Sequence, residues 1–443
     1  MSATTGSSTA SSEGSSRASS TGPAMGSTEA SSTGSVMGSS EACGTGSRSA
    51  STSRAPRATT ARATAAAAHP RATQQALDLA ATATREETVS ARAAWSRLAE
   101  PGDEVAARLV GALGPVAALA ALRTRGESAL DRFRPRLERL CVEQDLDNAA
   151  RVGARVIVPG DADWPSGLDD LAAPPHCLWV RGPADLAALC RSSVAVVGAR
   201  AATSYGERLA ARLASDLTDR GVTVVSGAAY GIDAAAHRGA LAAGGPTVAV
   251  LACGVERAYP SAHRALLDAV AGTGAVVSEV PPGSAPMRQR FLLRNRLIAT
   301  MTSATLVVEA GLRSGSRNTA GTAAEHLRVV MATPGPVTSP ASAGCHELIR
   351  AGTAVLVTDA DEILELVGRM GQDAAPRRRG PTRPGDDLDP GDRRVHDALC
   401  ARPRSVEELA AIVGISVASA QASLGRLGAR RAARRVDGGW VMP

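Results

Sequence analysis

Val194-Ala-Val-Val-Gly-Ala-Arg200 is the stretch on which the fold turns: four apolar residues, two small ones, then a cation. Six further apolar runs follow at domain-like spacing: Val222-Thr-Val-Val225, Thr247-Val-Ala-Val-Leu251, Gly274-Ala-Val-Val277, Thr305-Leu-Val-Val308, Val329-Val-Met331 and Val355-Leu-Val357. Helical stretches separate them, and most are apolar on both faces rather than alternating. Strands buried on both sides need covering helices on both sides, so residues 155–368 are expected to form an α/β domain with an open, doubly wound, mostly parallel sheet. Ligands of such sheets bind at the carboxyl ends of the strands. That rule selects Gly198-Ala-Arg200, Ser226-Gly227, Cys253-Gly254, Ser278-Glu279, Glu309-Ala-Gly311 and Thr333-Pro-Gly335. Their small residues let backbone N–H groups approach an anion closely.

Outward from this core the composition changes. Residues 1–75 are Ser, Thr, Ala and Gly with hardly a large apolar side chain, and are expected to be a disordered arm. In 76–154, Trp95, Leu98, Val105, Leu109, Leu113, Val116, Leu119 and Leu122 recur at spacings of three and four, which predicts a small helical domain broken at Gly111-Ala-Leu-Gly-Pro115. Residues 369–390, with Arg377-Arg-Arg379 and Pro381–Pro390, read as a polar linker. Beyond it, 391–443 predict a helix, a helix–turn–helix and a short β-ribbon ending in Gly438-Gly-Trp-Val441, the pattern of a winged helix. Its second helix, Ser416–Leu427, carries only Arg426 among basic residues, whereas Arg430, Arg431, Arg434 and Arg435 fall in the wing, a poor arrangement for reading a major groove.

Seven scattered cysteines show neither zinc-site spacing nor a disulfide framework, and no run is long enough to span a membrane, so a cytoplasmic protein is expected. The net charge of +6 is compatible with nucleic acid, but every one of those cations is Arg, since the chain contains no Lys. Asn is nearly as scarce, occurring only at 148, 295 and 318. Two of the three fall in suspected site motifs. The first is Arg290-Phe-Leu-Leu-Arg-Asn-Arg-Leu-Ile-Ala299, where Arg290, Arg294 and Arg296 bracket Asn295 ahead of an apolar run. Guanidinium groups at such a turn or helix start can fork onto phosphate oxygens. Ser226-Gly-Ala-Ala-Tyr-Gly-Ile-Asp233 is a second small-residue turn, with Asp233 read as a helix cap. Tyr205, Tyr230 and Tyr259, the only tyrosines, all follow strand ends, where they can stack on bases or pack in the core. His237 and His263 have no carboxylate or Cys at catalytic or metal-ligand spacing, so neither a metal nor another cofactor is expected.

The order of these fragments resembles the DNA-processing protein A (DprA/Smf) family from about Trp95 to the C-terminus. The matching elements are Val196-Val-Gly-Ala-Arg200 with Ser204-Tyr-Gly206, the Ser226–His237 turn, Tyr259-Pro260, Ser278-Glu279, Arg294–Ala299, Glu309-Ala310 with Ser314-Gly-Ser316, and Pro334-Gly335. The resemblance implies an extended Rossmann fold flanked by a SAM-like helical domain and a winged helix. It further implies a non-catalytic homodimer that binds single-stranded DNA in a strand-end pocket and helps load RecA recombinase onto incoming strands. Carried over by position, Arg200, Gly227, Arg294 and Arg296 fall on the family's DNA-contacting elements; the full expected DNA-binding set adds Ser204, Tyr205, Tyr230, Tyr259, His263, Arg264, Asn295, Ser314 and Gly315. The chain departs from the family pattern at Tyr230 and Ser261, where basic residues are usual, and at Leu292, where Pro is usual. Two outcomes are open there: weaker affinity, or more reliance on stacking by Tyr230 and on His263 or Arg264. Two other readings compete. Gly321-Thr-Ala-Ala-Glu325 is similar to part of the signature of nucleotide phosphoribohydrolases, without its preceding glycine turn, and the tail alone would suit a winged-helix transcriptional regulator.

Overall fold

A computed structural model of the chain describes residues 83–124, 128–376, 380 and 385–443. The low-complexity arm of residues 1–75, together with Arg377-Arg-Arg379 and Pro381 of the linker, lies outside the described residues.

Helices come first: α1 (Arg85–Leu98), α2 (Glu104–Leu113), α3 (Pro115–Thr124), the short α4 (Arg134–Leu137) and α5 (Val142–Arg151). Thr84 and Glu87 form a reciprocal capping box that starts α1. Gly114 ends α2, and Pro115, whose missing N–H is no loss in a first turn, begins α3. Trp95 is fully buried among Leu98, Val110, Leu122 and Phe133, and its indole N–H donates to the Pro115 carbonyl at 3.1 Å. The apolar periodicity of this segment is thus the inner face of a small helical cluster.

Nine strands then build one sheet: β1 (Ala154–Ile157), β2 (Leu178–Arg181), β3 (Ser193–Val197), β4 (Thr223–Ser226), β5 (Thr247–Leu251), β6 (Ala275–Ser278), β7 (Ala304–Val307), β8 (Val329–Ala332) and β9 (Val355–Leu356). Their spatial order is β1-β2-β6-β5-β4-β3-β7-β8-β9. Each of the seven apolar runs is a strand of the parallel part; β1 and β2 add an antiparallel edge beside β6. Between the strands lie α6 (Leu186–Arg191), α7 (Ser204–Asp219), α8 (Ile232–Ala242), α9 (Arg264–Thr273), α10 (Arg288–Met301), α11 (Ser316–Glu325), α12 (Ala343–Arg350) and α13 (Ala360–Val367). Alternate residues of β3 face opposite layers. Val194 and Val196 pack with Leu213, Leu217 and Ala236 of α7 and α8, while Ala195 and Val197 pack with Leu297, Ile298 and Ala320 of α10 and α11. Burial on both faces is what the uninterrupted apolar runs require.

The chain closes with α14 (Pro390–Asp397), α15 (Val406–Val413), α16 (Val417–Ala429) and an antiparallel ribbon of β10 (Arg434–Val436) and β11 (Gly439–Val441), around a core of Val395, Leu409, Leu424 and Leu427. Gly414, in the left-handed region at φ 71°, turns α15 into α16. Arg426, the one cation of α16, is held by Asp392 at 2.6 Å.

Candidate nucleic-acid interface

Strands β3 to β6 progress to one side of β3 and β7 to β9 to the other, so the chain's direction of winding reverses between β3 and β7. At such a switch point the flanking helices lie on opposite faces and leave a crevice outside the strand ends. Here it is a cleft of about 740 Å³ between the loops after β3 and β7 and one face of α10. A second chamber of about 640 Å³ adjoins it over the ends of β4 and β5, and Arg200, Ala229, Tyr259, Pro286 and Phe291 line both.

The loop that carries Arg200 is fixed from its underside by Glu309, 1% exposed. The Glu309 main-chain carbonyl accepts from the Ala199 N–H at 2.7 Å, and its carboxylate accepts from the Thr203 N–H at 2.9 Å and hydroxyl at 2.6 Å. Across the loop, Ile232 donates its N–H to the Ala199 carbonyl at 3.2 Å. Gly231, at φ 74°, lets the chain pass so close to this loop that a Cβ would overlap the Ala199 carbonyl oxygen. Arg200 itself is exposed, and its guanidinium lies over the Phe291 ring, 5.0 Å from the centroid. Tyr259 packs against the same Phe291 ring, tilted 47°, with centroids 5.3 Å apart. Tyr230, 50% exposed, leans edge-on against His263 at 4.8 Å.

Arg294 is different: it is 6% exposed and donates to the Val250 carbonyl, with its guanidinium filling the space beside Gly227 where a Cβ would stand. Burial lowers its pKa to about 10, a shift opposed by the nearby carboxylate of Asp233, so it is charged at neutral pH. Asp233 begins α8 as a buried carboxylate that takes the Ala229 N–H at 3.4 Å; desolvation pushes its pKa up and Arg294 pulls it back. It is the sole carboxylate lining either chamber, set against Arg200, Arg288, Arg294 and Arg313 in the first and Arg200 and Arg257 in the second. Both chambers therefore carry a positive excess.

Of the residues singled out from sequence, Arg200, Gly227, Tyr230, Tyr259, Arg294, Asn295, Ser314 and Gly315 line the two chambers. Asn295 donates to the Gly315 carbonyl at 3.4 Å, and the Ser314 hydroxyl meets that of Ser316 at 2.7 Å, tying α10 to the loop before α11. The five others of the expected DNA-binding set line neither. Arg296 is the principal correction: one terminal nitrogen bonds both Glu279 oxygens, at 2.6 and 2.8 Å, in a pair whose side chains are 13% and 10% exposed. The reason is helical geometry. The helix begins at Arg288, so Arg294 and Arg296 are not at its start but inside it, and two residues apart they point about 200° away from each other. Arg290 likewise turns away, onto Glu100 at 2.9 Å. His263 is buried and its Nδ1 bonds the Ala228 carbonyl at 3.0 Å, steadying a residue with φ of 53°. Tyr205 sits outside the chambers with its hydroxyl donating to the Pro334 carbonyl at 3.0 Å; Ser204 opens α7, and Arg264 is exposed at the start of α9.

Four charged or aromatic residues of the clefts escaped the sequence reading: Arg257, Arg288, Phe291 and Arg313. Two of them, Arg288 and Phe291, had a legible signal. Arg288, Phe291 and Asn295 follow at i, i+3 and i+7, one face of a helix, once the helix is started at residue 288. Gly321–Glu325 forms the last part of α11, with Glu325 exposed and in neither chamber. Among the described residues no three His, Cys, Asp or Glu side chains are grouped to hold a metal ion, and no single helix is long and apolar enough to cross a membrane.

An α/β protein with an arginine-lined, aromatic-edged crevice at its switch point is the class these features define. Comparison with known proteins narrows it. A family model described as DNA recombination-mediator protein A matches residues 155–368. The chain is 45% identical over 369 residues to a DNA processing protein DprA of Mycobacterium tuberculosis, a match covering 80% of this chain and 94% of that protein. It is 39% identical over 204 residues to DNA processing protein DprA of Streptococcus pneumoniae, covering 46% of this chain and 71% of that protein. The X-ray structure of the Streptococcus pneumoniae protein matches with a TM-score of 0.55 at 29% identity, over 64% of this chain and 98% of that one. The chain belongs to the DNA-processing protein A (DprA/Smf) family.

Proposed function

We propose that the paired chambers bind single-stranded DNA without regard to sequence. The observation that carries this is the placing of three aromatic rings, Tyr230, Tyr259 and Phe291, among the guanidinium groups of Arg200 and Arg257 in one shallow cleft. Arginines there neutralise backbone phosphates, which positions a strand but reads no bases. Rings stack on base faces, each worth about 1–3 kcal/mol, and base faces are free only when the strand is single. The small residues after β3 and β7 leave backbone N–H groups near the same phosphates. Arg257 supplies a cation to the chamber in which Tyr230 and Ser261 replace the family's usual basic residues.

Family membership supports the wider role: a cytoplasmic recombination mediator, acting as a homodimer, that shelters an incoming strand and passes it to RecA recombinase. The role is one of binding rather than catalysis, as suits a site whose nearest histidines, His237 and His263, are buried and occupied in hydrogen bonds to Thr247 and Ala228. No cofactor is invoked. The helices before the sheet correspond to the SAM-like domain and the tail to a winged helix, an accessory module whose α16 has its one cation already paired. The test is a titration of the full chain with an unrelated single-stranded oligonucleotide and its duplex at several salt concentrations. Single strands are expected to bind more tightly, with log affinity falling linearly against log salt. Preference for the duplex, or affinity indifferent to salt, would overturn the reading.

A further inference from the structure

A third cleft, of about 600 Å³, opens where α1, α4 and α5 meet the Pro281–Ser284 loop. We propose that it is a second phosphate-binding site, one that holds the backbone of a single strand as it leaves the chambers at the strand ends. The inference rests on the single-strand reading above and extends it to a surface that nothing in that reading uses.

Its chemistry is cationic after every visible pairing is counted. Four arginines line it, at 97, 136, 139 and 290, against two carboxylates, Glu100 and Asp145. Asp145 is occupied by Arg97. Glu100 is shared by two guanidinium groups, Arg290 at 2.9 Å and Arg136 at 2.7 Å, which hold its pKa below the ordinary value, Arg290 chiefly, so that it stays ionised and over-compensated. Arg139 is exposed and forms no ion pair among the described residues. Two positive charges thus remain. Beside them α5 presents Gln144 and Asn148, neutral donors one turn apart.

The cleft is also in the right place. Arg290, whose side chain lines it, and Arg288 and Phe291, which line the first chamber, leave the first turns of the same helix on different faces, so α10 borders both clefts. Ser284 lines the third cleft and Pro286 lines both chambers, two residues apart and so no more than about 7 Å along the chain. The loop that carries both is held firmly, with Arg97 donating to the Pro282 carbonyl at 2.7 Å and Arg290 to that of Ala285 at 3.1 Å. A strand crossing this narrow ridge passes from one set of arginines directly to the next.

Cys141, exposed and lining the cleft, is a built-in reporter. The experiment measures its alkylation rate in the full chain, by peptide mapping, with no DNA, with a saturating single strand of about 5 nucleotides, and with one of about 25. The long strand is expected to slow the reaction several-fold and the short one to leave it unchanged. Arg139→Glu is expected to weaken the long strand about 3–10-fold, with a salt slope lower by roughly 0.7 or more, and to spare the short one. Equal protection by both lengths, or none by either while both bind, would overturn the second site and leave the first standing. Protection by a deoxynucleoside monophosphate as strong as that by the long strand would also overturn it, in favour of a small-molecule phosphate site. Failure of either oligonucleotide to bind would remove both readings together.

Discussion

Helix α10 bears arginines on two faces, and the faces serve opposite ends. On one side, Arg288 and Phe291 open onto the strand-end cleft with Arg294 buried beneath them; on the other, Arg290 and Arg296 are locked to Glu100 and Glu279. Arg294 and Arg296 also each help keep a histidine neutral, His237 fully buried and His176 half-buried. His237 has its pKa lowered to about 3, first by burial and then by Arg294, and His176 to about 4, by burial, then Arg92, then Arg296. One residue type therefore gives structure where a carboxylate or carbonyl is within reach and a ligand surface where none is.

Substitutions can break this contrast. The largest effect is expected on the face that meets Glu279. Arg296→Ala would leave Glu279 as an unpaired buried charge and cost about 3–5 kcal/mol in denaturant unfolding, with DNA affinity and salt slope of the folded protein unchanged. Replacing both partners by apolar residues, Arg296→Met with Glu279→Leu, is expected to recover most of that loss. A reduced salt slope in Arg296→Ala would instead return this residue to the cleft. Arg294→Ala comes next: the orphaned Val250 carbonyl alone costs about 1–3 kcal/mol, and the cleft above should lose affinity as well, because its floor has gone. Stability loss with no change in binding would separate Arg294 from the site.

Acid sharpens the comparison from both sides at once. A histidine whose folded pKa lies below its unfolded value contributes stability that is present above about pH 6.5 and lost as pH falls. For each of His176 and His237 the loss is about 1.4 kcal/mol per pH unit until its folded pKa is reached. Unfolding free energies measured at successive pH values should therefore decline below about 6.5, and His176→Gln should flatten the decline; an unaltered slope would mean that His176 is not the titrating group. The smallest change in stability is expected for Arg200→Ala, within about 0.5 kcal/mol, since Arg200 is exposed. Its effect should appear only in binding, as a salt slope lower by roughly 0.7 for every oligonucleotide sequence alike.

The sheet was legible because each of its parallel strands is an apolar run that no other structure accommodates so cheaply. The edge strands β1 and β2 were not, because Arg155 interrupts the first and Arg181 closes the short second; Arg155 spans to the Gly182 and Ala184 carbonyls and Arg181 to Asp268. Likewise the glycine and arginine after β3 marked the site, since a strand end fixes where they stand. The Arg-Asn-Arg triplet could not be resolved in the same way. Which member of a helical triplet faces a cleft depends on where the helix starts, and with Met287 before Arg288 no capping side chain announces that start. His263 misled for a related reason: only the fold shows that the Ala228 carbonyl lies within its reach.

The hold of Glu309 on the Arg200 loop has a consequence for the thermodynamics of capture. A loop whose backbone must settle around its ligand gives up conformational entropy in doing so, and that loss is subtracted from affinity. Here the main chain from Ala199 to Thr203 is already fastened to Glu309 and Ile232 before any strand arrives. Ordering on binding then falls mainly on the nucleic acid and on the tip of one arginine side chain, so the enthalpy of contact is spent on holding the strand rather than on shaping the protein.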